Sequence, residues 1–439
     1  MPPTRPFLAL LLAFWGGCAC AADDLLSIYR DASLADPVFQ QARAQLRAAR
    51  ERVPQARAEL LPQITSTIDV ERVFQKQTTS FNPTNKTAFY NENYSLDLQQ
   101  AVFRWDLFKR LGQAGIEEAQ AVADFAAEEQ DLIFRVAERY FGVLDAQAAL
   151  TAAEADVQAI GRQLEQARQR FEVGLIARTD VEEAKARYDL ARADAIQARN
   201  DLQSARERVR EIVGRAPAQL QRVREQVELV VPEPRDEEAW RSRAEEQNWR
   251  LTAARKASKA AMTGVGVARA GHFPTLDARL GYSKTQTGGT FGSQTDRSTI
   301  GLRLEVPLFL GGGTSSRVRE AQAGFTEARE RLEEVLRSVT RQAADSYRTV
   351  ESNLLRVQAL DQARTSTKAA LEATEAGFEV GTRTIVEVLN AVQDMTQAER
   401  DYQQARHAYL LETLRLKQAA GTLSDADVHL VNALLRREP

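Results

Sequence analysis

The sequence predicts an elongated α+β membrane protein: two tandem copies of one unit, each with a pair of β-strands and a hairpin of very long helices. Three observations predict it. The first is an internal repeat. Arg170-Phe171-Glu172-Val173-Gly174 returns as Gly377-Phe378-Glu379-Val380-Gly381, and Tyr140/Tyr347 and Gly214/Gly421 keep the same offset of 207 residues. The second is that residues 109–172 and 314–379 contain no proline and are rich in Ala, Gln, Glu and Arg, which favour helix. The third is apolar–polar alternation with a period of two.

In chain order, residues 1–22 come first. They hold Arg5, an apolar run over 7–15 and small residues ending in Ala19-Cys20-Ala21-Ala22. A basic start, a short apolar stretch and an A-x-A site describe a secretory signal peptide. Gly17-Cys18 leaves a lipoprotein leader as a rival, with Trp15 where such leaders usually carry leucine. The first repeat is expected over 23–230 and the second over 231–439, joined near Val231-Pro232-Glu233-Pro234. Each reads helix, two strands, a very long helix, a tight link and another long helix.

The strands are expected at 63–74, 89–103, 275–284 and 298–309. Tyr90, Tyr94, Leu96, Leu98 and Val102 alternate with Asn91, Asn93, Ser95, Asp97 and Gln99. Ile300, Leu302, Leu304, Val306 and Leu308 alternate with Gly301, Arg303 and Glu305 in the same way. Each segment is close to the roughly 9–11 residues of a membrane strand. The polar stretches 75–88 and 285–297 are expected as hairpin loops, and Phe74, Phe103, Trp105, Phe273 and Phe309 as an interface girdle. Pro62 matches Pro274 at an offset of 212 and Phe103 matches Phe309 at 206, so the first copy carries about six extra residues between these landmarks.

Each helical run of some 60 residues makes a rod of about 90 Å. Glu183/Arg187 and Glu327/Arg331 have the i,i+4 spacing of stabilising ion pairs. Val173-Gly174-Leu175 and Val380-Gly381-Thr382 interrupt the rods as tight links, glycine relieving the Cβ constraint.

Composition removes several function classes. With 58 Lys+Arg against 61 Asp+Glu the net charge is −3, without the basic stripe of a nucleic-acid binder. Mean hydropathy is −0.40, and past the leader no apolar run approaches the roughly 20 residues of a spanning helix. Both cysteines, Cys18 and Cys20, lie in the leader, and His272, His407 and His429 show no ligand spacing. No metal, cofactor or catalytic residue is expected. Gly311-Gly312-Gly313 lacks the Lys-Ser/Thr of a phosphate loop. Four strands cannot close a membrane barrel, whose smallest form has about eight. An open edge is forbidden in lipid, so several chains must pool their strands.

Three stretches carry a specific resemblance: Gly271-His272-Phe273-Pro274-Thr275-Leu276-Asp277, the run from Val380-Gly381-Thr382-Arg383-Thr384 to Asn390-Ala391, and Gly421-Thr422-Leu423. From about Asp23 to Leu435 the chain resembles the TolC family of outer-membrane channel-tunnels of Gram-negative bacteria. The resemblance implies a homotrimer with a twelve-stranded β-barrel in the outer membrane, continuous with a long α-helical barrel in the periplasm. It implies a passive exit duct for a tripartite efflux pump or type I secretion system. The implied partners are a periplasmic adaptor (membrane fusion) protein and an inner-membrane transporter of the ABC, RND or MFS type. A soluble periplasmic coiled-coil adaptor or scaffold is the alternative; it explains the rods but not the leader, the strands or the duplication. An envelope enzyme finds no motif to support it.

The same resemblance assigns the site. The turns Val173-Gly174-Leu175 and Val380-Gly381-Thr382 would dock the adaptor. Glu387 and Asn390 share a helix face and would line the periplasmic constriction, where relatives usually carry two acids. A trimer would then present one ring of carboxylates and a modest preference for cations. Asp180, Thr179, Arg383 and Phe378 would constrain the gate, with Arg383 latched to Asp180 and Phe378 lacking the tyrosine hydroxyl common in relatives.

Overall fold

In a computed structural model, residues 23–79, 82–217, 219–225, 227, 229–289 and 292–436 are described. The leader lies outside them. The head of each copy is helical because its caps are strong. Asp24 and Ser27 bond reciprocally at the start of α1 (Leu25–Ala35), and Asp36 accepts from Val38 N at 3.1 Å to start α2 (Pro37–Arg50). A short α3 (Arg52–Ala58) follows. In the second copy Asp236 and Asn248 cap α6 (Glu237–Gln247) and α7 (Trp249–Ala270). The single helix expected at each head is thus split, at Asp36 and Glu51 in one copy and at Asn248 in the other.

The strands run β1 (Gln63–Thr79) and β2 (Asn82–Phe103), with β4 (Thr275–Thr287) and β5 (Ser293–Glu305) in the second copy. All four ranges are longer than the alternation indicated, and most of 75–88 and 285–297 is strand, not loop. Thr and Asn side chains there are polar, but the ladder is made by backbone groups and continues through them: Gln75 pairs with Thr87 and Thr285 with Thr295. The fourth strand stops early, at Glu305, two residues before Pro307, which has no N–H to donate.

The sheet order is β1-β2-β4-β5, antiparallel throughout. Its register sorts the side chains. Ile64, Leu98, Leu280 and Ile300 stand in one row, and Phe103, Leu276 and Leu304 in another on the same face. The opposite face carries Thr65, Asp97, Gly281 and Thr299, then Thr67, Ser95, Ser283 and Arg297. Nothing in the protomer covers the apolar face: Ile300 is 84% and Leu302 71% exposed. This is the arrangement of a barrel wall, apolar toward lipid and polar toward the lumen. Edges β1 and β5 lack partners within the sheet, so closure requires pairing between protomers. Among the described residues no helix is long and apolar enough to cross a membrane.

Below the sheet run α4 (Trp105–Glu172) and α5 (Arg178–Val213), repeated as α8 (Gly313–Glu379) and α9 (Ile385–Ala419). Their 68 and 36 residues are matched by 67 and 35. The main core lies midway, where Leu25, Ile28, Val136, Tyr140, Phe141, Val209, Leu414 and Leu416 are buried. A short return at the chain's end, α10 (Asp425–Ala433) and β6 (Leu435–Arg436), pairs with β3 (Arg222–Val223) of the first copy. The two copies are therefore interlocked. Tyr140 Oη donates to Gln221 O at 2.7 Å, and burial pushes its phenol up.

Gly214 and Gly421 end α5 and α9 with positive φ of 77° and 76°, yet their surroundings differ. A Cβ on Gly214 would only touch Ala35 Cβ at 3.8 Å, whereas one on Gly421 would stand 2.2 Å from Gln247 O.

Two predictions follow from this packing. Gly214→Ala should carry the left-handed penalty alone, about 1–2 kcal/mol. Gly421→Ala should add overpacking of about 1–3 kcal/mol, so its detergent-solubilised trimer should melt at the lower temperature; equal melting would contradict the clash. On the sheet, Ile300→Arg should cost about 2–4 kcal/mol if it meets lipid near the midplane, while neighbouring Thr299→Arg, aimed at the lumen, should leave heat-resistant trimers on a gel.

Candidate functional site

Both helical hairpins turn by the same device. Gly174 takes φ 75° and Gly381 φ 80°, so each chain can close over the last carbonyls of the preceding helix. Leu175 N donates to Arg170 O at 2.9 Å, and Thr382 N to Gly377 O at 2.9 Å. The turns are solvated, yet apolar: Val173 is 70%, Leu175 73% and Val380 75% exposed.

The helices that follow start differently. Thr384 caps α9 in a reciprocal box: its Oγ1 accepts from Glu387 N at 3.3 Å, and Glu387 Oε2 accepts from Thr384 N at 2.8 Å. Ala177 has no cap side chain, and Asp180 Oδ2 accepts from its N–H at 3.3 Å. Thr179 is exposed beside it on the first turn of α5.

Between the hairpins lies a small apolar core of Ile160, Leu164, Ala167 and Ala184 against Phe378, Ile385, Val388 and Leu389. Phe378 is thus a buried wedge. Arg170 stacks on its ring, Cζ 4.2 Å from the centroid, and donates from Nη1 to Phe378 O at 3.3 Å. A cation over a ring contributes about 0.5–2 kcal/mol, depending on desolvation.

The polar residues of the tip sort into local and cross-hairpin contacts. Arg383 Nη1, in the link just before α9, meets Glu387 Oε1 at 2.5 Å within the same hairpin. No hydrogen bond or ion pair joins Arg383 to Asp180 among the described residues of one protomer. Glu387 is a solvated carboxylate held at about 2 by the Thr384 amide, the Arg383 guanidinium and the Thr384 hydroxyl. Asn390 is exposed, and its Oδ1 accepts from Arg187 Nη2 at 3.4 Å across the hairpins.

Arg187 is the residue sequence reasoning missed. Its spacing from Glu183 pointed to an i,i+4 pair, but the guanidinium reaches α9 instead. Arg331, likewise spaced for Glu327, pairs with Glu334 at 3.4 Å.

Comparison with known proteins agrees with the fold. Residues 28–215 and 240–422 match the family described as Outer membrane efflux protein. Outer membrane protein TolC of Vibrio cholerae serotype O1 is 38% identical over 433 residues, 94% of each chain. Alkaline protease secretion protein AprF of Pseudomonas aeruginosa is 30% identical over 417 residues, 93% of this chain and 86% of that one. The Campylobacter jejuni CmeC outer membrane channel superposes with a TM-score of 0.79 at 15% identity, over 94% of this chain and 90% of that one. The fold is that of a trimeric β-barrel continued by a helical tunnel. Both repeats match, and identity to a TolC runs the length of the chain. This protein therefore belongs to the outer membrane efflux protein family, the exit ducts of the Gram-negative outer membrane.

Proposed function

We propose that this duct is opened at its helical tip by a periplasmic adaptor working with an inner-membrane transporter of the ABC, RND or MFS type. Its cargo is small molecules or secreted proteins, the latter supported by its similarity to a protease secretion protein. Glu387 and Asn390 form the constriction, and Thr179, Asp180, Arg383 and Phe378 control its closure. Arg383 already pairs with Glu387 at 2.5 Å, so a contact with Asp180 would share one guanidinium between two carboxylates.

The observation that carries the adaptor reading is the apolar character of the turns. A turn needs glycine for its backbone, not Val173, Leu175 and Val380 in water. Exposed apolar side chains at the end of a rod suit a partner that buries them. Leu175→Asp with Val380→Asp should abolish co-purification with the cognate adaptor and stop export, while trimers and bilayer conductance persist. Export at the unaltered rate would contradict docking at the turns.

The charge of the tip should be insensitive to ordinary pH. Glu387 has a depressed pKa in the fold, so its contribution to the cap is complete above the unfolded carboxylate pKa of about 4.3. It is lost only as pH falls toward the folded value. Hydrogen exchange at the Thr384 amide should stay protected from about pH 8 to 5 and lose protection between about pH 4 and 2. Glu387→Gln should remove that transition.

A further inference from the structure

We infer that Arg170 and Arg187, both on the first hairpin, hold the two hairpins of a protomer together at the tip, and that Arg187 also sets the charge of the constriction. The second half rests on the reading that Asn390 and Glu387 line the constriction.

The tip's ionic contacts differ in what they resist. Arg178–Glu182 at 3.6 Å lies within α5, and Arg383–Glu387 at 2.5 Å joins the link before α9 to its first turn. Arg199–Glu154 at 3.0 Å and Arg364–Glu399 at 3.6 Å lie within one hairpin. None of these is strained when the hairpins move apart. Asp156 of α4, farther from the tip, faces Thr396 and Arg400 of α9; nearer the tip, among the described residues, two arginine contacts cross. Arg170, in the last turn of α4, places its guanidinium on the Phe378 ring and donates to the Phe378 carbonyl. That carbonyl sits at the C-terminal end of α8, where a cation is favoured by the exposed carbonyls and the helix dipole. Arg187, two turns into α5, donates to Asn390 Oδ1 on α9 at 3.4 Å.

The apolar cluster beneath them is non-directional and tolerates sliding. The arginine contacts are directional and stand at different heights along that cluster, so they fix the relative rotation of the hairpins. A displacement that opens the tip must break both.

The same placement alters the charge of the constriction. Each Glu387 carboxylate is matched by Arg383 of its own hairpin. Asn390 is neutral, and Arg187 stands on it. A trimer then adds three guanidiniums to a ring whose carboxylates are already balanced, and the cation preference expected from a bare Glu387 ring disappears.

Planar-bilayer recording on the full-length trimer tests both parts. Arg170→Ala combined with Arg187→Ala should raise time-averaged channel conductance by about twofold or more as the closed population falls. Arg187→Lys, which keeps a donor and a charge, should stay near the parent value. Arg187→Gln alone keeps a donor toward Asn390 but loses the charge, so it should shift the reversal potential toward cations. That readout remains usable if the double variant fails to trimerise. An unchanged conductance in a heat-resistant double variant would overturn the clasp, most clearly if Arg383→Ser opened the channel instead. An unchanged reversal potential in Arg187→Gln would overturn the charge assignment. A parent protein that forms no channel would overturn the duct reading and this inference with it.

Discussion

Backbone hydrogen bonding at the open edges of the sheet governs the whole molecule. In lipid an unpaired N–H or C=O costs several kcal/mol, and β1 and β5 each present a full row of them. Only another protomer can supply the missing ladders. Once three sheets close into a barrel, the helices that continue from β2 and β5 inherit its symmetry. The tunnel is thus a consequence of closure above it, and its walls need no hydrophobic seam strong enough to assemble alone. The polar helical rods fit that division of labour.

The duplication supplies the second half of the design. One protomer carries two hairpins of nearly equal length, so a trimer presents six around the axis. The copies are alike in their turns and unlike in their contacts. Thr384 and Glu387 cap the second hairpin reciprocally, while the first has Ala177 at the same place. Gly421 is jammed against Gln247, while Gly214 is loose.

Much of this was legible in the sequence. The offset between Gly174 and Gly381 located both turns, and the absence of proline set the rods. The alternation at Leu96–Leu98 and Ile300–Leu304 identified the lipid face. The strand ends were not legible, because Thr, Asn and Gln extend a ladder as readily as they form a loop when backbone pairing is available. Side-chain partners at the tip were least legible. Arginine is long enough to choose between Glu183 one turn away and Asn390 203 positions away, and spacing along one helix reports only the first. Phe378 was read for the hydroxyl it lacks; its burial beneath Arg170 depends on a hairpin contact that periodicity does not encode.

The near-identity of α4 with α8 and of α5 with α9, 68 against 67 and 36 against 35 residues, has a consequence for how such a chain can change. At 1.5 Å per residue, removing one turn from a single helix would lift its turn by about 5 Å and leave the rim ragged. The depth of the rim below the membrane is therefore inherited by four helices jointly. Heritable shortening or lengthening must come as matched indels in all four, descending and ascending alike, and a lone deletion in any one should be purged.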